Sequence, residues 1–233
     1  MDRVPIYILA GGRSRRFGSD KARAVVGGST LLERVAETLR PVVDTLCVVA
    51  DVAGKYEDLG LRTIADRVPG RGPLSGLHAA LCDLEDRAAH ATDAQPWLLL
   101  ISCDFVVLRL SWIERLVEAR RSDFHAVAFS GEHWEPFPGL YHRELRTDVE
   151  RRLGMLSLAP SEPAQMGADG GRLSSTVHDA DTSLCGLLNA VRAVRVPLPR
   201  DWLPLAHVNT SRDLELALCP VCPSMLDARR SGC

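Results

Sequence analysis

Ile6-Tyr7-Ile8-Leu9-Ala10-Gly11-Gly12 is a short apolar run that stops at a pair of glycines. Apolar side chains at successive positions, rather than at every second one, mark a strand covered on both faces, as in a parallel sheet. The residues that follow alternate strand with helix. Ser29-Thr30 precedes Leu31, Leu32, Val35, Ala36 and Leu39, whose spacing makes one helix face, with a hydroxyl cap before it and Pro41 closing it. Thr45-Leu46-Cys47-Val48-Val49-Ala50 reads as a second strand and Arg62-Thr63-Ile64-Ala65 as a third, ending at Asp66. Beyond the turn-rich Gly70-Arg71-Gly72-Pro73-Leu74, a helix is expected over 75–84. Trp97-Leu98-Leu99-Leu100-Ile101-Ser102 is the most apolar run and the expected central strand. Ser111 is expected to cap a helix reaching Val117, and Ala126-Val127-Ala128-Phe129 to form another strand. Leu184-Cys185-Gly186-Leu187-Leu188 has helical spacing, and Val194-Arg195-Val196-Pro197-Leu198 reads as a late strand. Such alternation predicts a single-domain, doubly wound α/β fold: a mostly parallel sheet with helices on both faces.

Composition agrees. The chain has 233 residues, 46% of them hydrophobic and 25% charged, which suits one α/β domain with ample core. A formal net charge of -2 excludes a general affinity for nucleic acid or an anionic membrane, so any anion site must be local. No apolar run approaches the ~20 residues a bilayer-spanning helix needs, and Met1-Asp2-Arg3-Val4-Pro5 lacks a secretory layout. A cytoplasmic protein is expected. The seven cysteines are scattered and odd in number, which argues against a disulfide framework. Cys219-Pro220-Val221-Cys222 has the spacing of a metal pair but no second pair, with only Cys233 and His207 near it in sequence, and reads as free thiols on a tail. The expected layout is a domain over 1–218, in which the Gly-, Ser- and Pro-rich stretch 154–183 is a flexible insertion, followed by a tail over 219–233.

The densest chemistry is Leu9-Ala10-Gly11-Gly12-Arg13-Ser14-Arg15-Arg16-Phe17-Gly18-Ser19-Asp20-Lys21. Glycines after a strand let backbone amides approach a ligand, and amides left unpaired there bind anions. Arg13, Arg15, Arg16 and Lys21 place four cations in nine residues of a slightly acidic chain. A triphosphate supplies the compensating charge, and planar guanidinium groups suit its oxygens. Two common phosphate motifs fail on spacing. Gly18 is followed by Ser19-Asp20-Lys21 rather than Lys-Ser/Thr, and Gly11-Gly12 does not open a Gly-x-Gly-x-x-Gly fingerprint.

The whole string closely resembles the signature of the molybdenum cofactor guanylyltransferases, roughly Leu-Ala-Gly-Gly-x-Ser-x-Arg-Met/Phe-Gly-x-Asp-Lys. A looser version runs through the sugar-phosphate and terpenoid-precursor nucleotidyltransferases. The resemblance implies a Rossmann-like nucleotidyltransferase fold in which Leu9, Ala10 and Gly11 line guanine and ribose. It also implies that Gly12, Arg13 and Lys21 hold phosphates, with Arg15, Arg16 and Lys21 acting in transfer.

Two carboxylates support this reading. Asp104 follows the expected central strand directly, so it should face the crevice at the strands' carboxyl ends, where a hard carboxylate suits Mg²⁺. A cap for the next turn is the plainer alternative. In the family the corresponding Asp carries Mg²⁺ within a Cys-Asp-Met/Thr-Pro element; here Cys103-Asp104 is followed by Phe105-Val106. Asp66, just ahead of Gly72-Pro73-Leu74-Ser75-Gly76-Leu77, resembles the family's nucleotide-recognising Asp. A carboxylate can accept from both N1 and N2 of guanine, although a turn carboxylate would look the same in sequence. An Asn found near guanine in some members falls on Val49 here.

The later motifs are looser. Pro136-Phe137-Pro138-Gly139-Leu140-Tyr141 resembles an acceptor-side strand, which puts Tyr141 near the acceptor. Val208-Asn209-Thr210-Ser211-Arg212-Asp213-Leu214 resembles the family's closing Asn-Thr segment, with Asn209 supporting the acceptor or the metal and His207 at a position where the family has Asn. The resemblance spans about residues 5–218. It implies transfer of GMP from GTP, with Mg²⁺, to molybdenum-bearing molybdopterin, with release of pyrophosphate. Partner proteins that deliver or receive the cofactor belong to that expectation; nucleic acid and membrane do not. A cytidylyltransferase for the same pterin and a non-catalytic nucleotide-binding homologue remain open, and a sugar-1-phosphate enzyme is less well matched by so short a carboxyl half.

Overall fold

In the computed structural model, which describes residues 4–11, 20–43, 45–89, 95–156 and 182–202, the opening apolar run forms β1 (Ile6–Leu9). Its side chains divide between two cores. Ile6 and Ile8 enter one, Tyr7 and Leu9 the other, so the strand is buried on both faces as its composition predicts. Around it lies a seven-stranded sheet in the order β5-β4-β1-β6-β8-β7-β9. The other strands are β4 (Leu46–Ala50), β5 (Thr63–Ala65), β6 (Trp97–Ser102), β7 (Ala126–Ser130), β8 (Trp134–His142) and β9 (Ala193–Pro197). A separate two-residue hairpin pairs β2 (Val25–Val26) with β3 (Ser29–Thr30).

β5, β4, β1 and β6 run parallel. β8 runs antiparallel to both of its neighbours, and β9 is parallel to β7. The strand order reverses between β1 and β6: the chain first winds outward through β4 and β5, then returns to the other side of β1. Helices α1 (Leu31–Leu39) and α3 (Leu110–Glu118) cover one face; α2 (Pro73–Ala88), α4 (Arg146–Arg152) and α5 (Leu184–Ala190) cover the other. Leu98, Leu99, Leu100 and Ile101 of β6 are all fully buried, and each such side chain stabilises the fold by roughly 1.5–3 kcal/mol.

The start of α1 follows from its sequence. Thr30 Oγ1 accepts from the Glu33 amide at 3.2 Å, and Glu33 Oε2 accepts from the Thr30 amide at 2.7 Å, a reciprocal capping box. α3 departs from expectation. It begins at Leu110, after Arg109 and without a side-chain cap, so Ser111 is an exposed residue inside the first turn rather than the cap. α2 begins earlier than expected because Pro73 fits the first helical position, where its missing amide proton is not needed. The expected insertion is described only at its ends, with 157–181 outside the described residues, as is the tail from 203 on. No described helix is long and apolar enough to cross a membrane.

Candidate functional site

At the carboxyl ends of the parallel strands lies a cleft of about 880 Å³. It opens where the strand order reverses, the place at which doubly wound sheets bind ligands. Leu9 and Gly11 from β1, Val49 and Ala50 from β4, and Ser102 from β6 form part of its lining. Asp66 and the amino end of α2 form another wall, and Phe137 of β8 reaches in from the antiparallel side. Gly72, which precedes α2, has φ +67°, a backbone that favours glycine. With no side-chain cap at Gly72, the amino end of a 16-residue helix contributes its partial positive charge to the cleft.

α2 lies close against β1. A Cβ at Gly76 would come within 2.7 Å of Leu9 Cδ2, so glycine there keeps Leu9 in its place on the cleft floor. Gly11 is under no such constraint: a Cβ would meet only backbone of Ala50 and Asp51, at 3.6–3.7 Å. The need for a small residue falls on α2 rather than on the first glycine of the signature.

Lys21 and Asp104, 83 residues apart in sequence, meet beside the cleft with Nζ 3.1 Å from Oδ2. Lys21 belongs to a short 3₁₀ turn, Lys21–Arg23, capped by Asp20, whose Oδ1 accepts from the Ala22 amide at 3.1 Å. Asp104 directly follows Cys103, whose amide donates to the Leu9 carbonyl at 3.0 Å and so fixes the end of β6 against β1. Burial, reinforced by the Asp104 carboxylate, pushes the Cys103 thiol up to about 12, so it stays neutral and is no nucleophile.

Asp66 is anchored firmly. Its amide donates to the Ala50 carbonyl at 2.6 Å, its Oδ1 accepts from the Val68 amide at 2.9 Å and its Oδ2 from the Ser75 hydroxyl at 2.7 Å. Each carboxylate oxygen can accept a further hydrogen bond, so acceptor capacity remains for a ligand.

Lys21, Asp66, Asp104, Leu9 and Gly11 are therefore gathered at one end of the sheet, with Ala10 at the end of β1. Tyr141 is not. Expected near an acceptor, it is a fully buried core residue whose hydroxyl donates to the Pro136 carbonyl at 2.9 Å, because in β8 it points into the α2 face of the sheet. Phe137, four residues earlier, is the β8 side chain that reaches the cleft. Gly12, Arg13, Arg15, Arg16 and Asn209 lie outside the described residues, as do His207, Cys219, Cys222 and Cys233.

Among the described residues no group of three or more His, Cys, Asp or Glu side chains could hold a metal by itself. The Asp104 carboxylate, a hard ligand beside Lys21, suits a Mg²⁺ that arrives on a polyphosphate, since Mg²⁺ keeps several waters and takes one or two carboxylates plus phosphate oxygens.

Residues 6–160 match the MobA-like NTP transferase domain. The chain belongs to that family. A molybdenum cofactor guanylyltransferase from Nitrobacter hamburgensis is 38% identical over 151 residues, covering 63% of this chain and 70% of the relative. One from Rhodopseudomonas palustris (strain BisB5) is 37% identical over 156 residues, covering 64% and 72% respectively. In fold, the chain is similar to the molybdopterin-guanine dinucleotide biosynthesis protein A of Archaeoglobus fulgidus (TM-score 0.66, 20% identity, 92% of this chain and 96% of that one). It is also similar to a 2-C-methyl-D-erythritol 4-phosphate cytidylyltransferase from Thermus thermophilus (TM-score 0.55, 17% identity, 93% and 98%). The matched stretch 6–160 runs from β1 past α4 and contains every described residue that lines the cleft.

Proposed function

We propose that this chain transfers GMP from GTP to molybdopterin carrying molybdenum, releasing pyrophosphate and forming the guanine dinucleotide cofactor. The observation that carries the reading is the Lys21–Asp104 pair, 3.1 Å apart at the point where the strand order reverses, beside a cleft that also holds Asp66. Membership of the MobA-like NTP transferase family and relatives named molybdenum cofactor guanylyltransferase support this choice of donor and acceptor. The reaction belongs to the cytoplasm.

The acceptor's phosphate oxygen attacks the α-phosphorus of GTP; a new P–O bond forms as the bond to the bridging oxygen breaks, and pyrophosphate departs with that electron pair. An ionised phosphate needs no strong general base, so the protein's contribution is positioning and charge neutralisation. Lys21 sits where it can meet the leaving phosphates, and the arginines of the signature add to its charge. Asp66 accepts from the guanine edge, while Leu9, Val49 and Phe137 give the base an apolar wall. Asp104 would hold Mg²⁺, which when bound neutralises charge on the phosphate oxygens.

The test is calorimetric titration with GTP and CTP, with and without Mg²⁺. GTP preferred by tenfold or more, ~1.4 kcal/mol, supports the reading. Preference for CTP moves the assignment to a cytidylyltransferase for the same pterin, and binding of neither removes nucleotide transfer. Asp104→Asn keeps an acceptor for Lys21 but loses the charge, and is expected to fold normally and lower turnover at least ~100-fold. Near wild-type Mg²⁺-dependent turnover in that variant removes Asp104 from the metal site.

A further inference from the structure

Tyr56, in the connection between β4 and β5, is fully buried, yet its ring carries a hydroxyl aimed at the cleft end of β1. That hydroxyl lies 2.9 Å from Asp20 Oδ2, 3.1 Å from Asp20 Oδ1 and 3.3 Å from the Ala10 carbonyl. Ala10 and Asp20 lie on either side of the glycine- and arginine-rich part of the signature. Tyr56 itself is held in place: its amide donates to Thr63 Oγ1 at 3.3 Å, and its carbonyl accepts from the Leu59 amide at 3.1 Å. Its ring is flanked by cations, with the Arg23 guanidinium carbon at 5.2 Å and Lys55 Nζ at 5.4 Å from the centroid.

Lys55 adds a second tie, with Nζ 3.1 Å from Asp20 Oδ2 and 2.9 Å from Asp51 Oδ1. Asp20 in turn caps the turn that carries Lys21, and Lys21 reaches Asp104. A continuous set of contacts thus runs from Tyr56 through Asp20 to the Lys21–Asp104 pair.

We infer that Tyr56 is a positioning residue for Lys21: its hydroxyl draws the Ala10 carbonyl at the end of β1 and the Asp20 carboxylate together, and thereby sets Lys21 against Asp104. The phenol has one proton for two acceptors. The charged and nearer carboxylate takes most of it, and the Ala10 carbonyl shares the remainder. Burial, reinforced by the Asp20 carboxylate, pushes the phenol far above its ordinary value, so it remains a donor throughout the working pH range. Fixing Asp20, and with it the turn that carries Lys21, before the ligand arrives removes an ordering cost that binding would otherwise meet. The inference rests on the reading of Lys21 as a contact of the triphosphate.

Tyr56→Phe isolates the hydroxyl, since the ring stays to pack between Arg23 and Lys55. In the ligand-free full chain, hydrogen exchange at the Ala22 amide, which donates to Asp20 Oδ1, should quicken about tenfold as Asp20 loosens. By calorimetry with Mg²⁺, affinity for GTP should fall about tenfold while affinity for GMP changes less than about twofold, because Lys21 serves the outer phosphates. In an Asp20→Asn background the same Tyr56→Phe change should cost at least about threefold less, since the two groups act through one contact. Equal loss for GTP and GMP assigns Tyr56 to packing alone and overturns the inference. So do unchanged Ala22 exchange and full additivity with Asp20→Asn. If the wild type binds no nucleotide, the proposed function fails with it; the loss then appears in wild type and variant alike, and Ala22 exchange still reports whether Tyr56 holds Asp20.

Discussion

Gly76 and Gly139 are both buried glycines with negative or extended backbone, but they differ in what surrounds them. A Cβ at Gly76 meets the tip of Leu9, a flexible side chain with the cleft beside it. Gly76→Ala should therefore change stability by less than about 1 kcal/mol, the strain being offset by alanine's better helix propensity. Leu9 would be displaced toward the cleft, and nucleotide affinity should fall; urea denaturation and calorimetry on the same variant separate the two effects. A Cβ at Gly139 would lie 2.6 Å from the Pro136 carbonyl oxygen, which is backbone and cannot rotate away. Gly139→Ala should cost about 1–3 kcal/mol or more in urea denaturation. At this scale the placing of Lys21, Asp66 and Asp104 at one end of the sheet was legible in the sequence, because each ends or follows a readable element and sits in a short recognisable string. Tyr56 gave no signal. It lies 36 residues from Asp20 and 46 from Ala10, and its role exists only once β4 is paired with β1. Tyr141 misled for a related reason: strand periodicity fixes which face a residue takes, and the motif alone did not supply the face.

α1 and α2 show how elements are tied to the sheet. The capping box at α1 should be worth about 1 kcal/mol, so Thr30→Ala should lower the unfolding free energy measured in urea by that amount without touching nucleotide affinity. α2 is tied by Asp83, which accepts from Tyr7 Oη at 2.8 Å and from Arg62 Nη1 at 2.8 Å, with Arg62 Nη2 on its other oxygen. Burial alone would raise the Asp83 pKa, but the Arg62 and Tyr7 bonds outweigh it and hold the carboxyl below its ordinary value. The sign follows. A depressed native pKa contributes stability that is present above the unfolded value, about 3.9, and is lost as pH falls through the native one. Stability should therefore drop on acidification below about pH 4, and Asp83→Asn should be less stable at neutral pH with a shallower acid dependence. Helix periodicity made α1 readable, and the unbroken apolar run made β6 readable to the residue. The segment of α4 carries Val149 as its single apolar residue and six polar ones, so no stripe marked it; its place is set by packing under α2. β2 and β3 are two residues each, too short for any period to emerge.

For the molecule as a whole, the alternation of elements was enough to give a doubly wound sheet, because parallel strands must be covered on both sides and connected by helices. The antiparallel insertion of β8 between β6 and β7 was not readable. Pro136, Pro138 and Gly139 interrupt its strand pattern, and a short hairpin rather than a helix joins it to β7. If the cleft is the nucleotide site, GTP with Mg²⁺ at 100 times its dissociation constant should raise global unfolding stability by about 2.7 kcal/mol. Most of that gain should vanish when EDTA is added, and urea denaturation with and without ligand measures it. The same insertion has a further consequence. The half built on β1, β4, β5 and β6 meets the half built on β8, β7 and β9 along a ladder of four residue pairs, Trp97↔His142 through Leu100↔Gly139. Almost all of the described cleft lining lies on the first side of that seam, and among the described residues Phe137 alone crosses toward it from the second. α2 of the first half also packs on α4 of the second, so a graft cut at β6 and β8 that gives the proposed nucleotide half a different acceptor must rebuild that helix contact as well as the ladder.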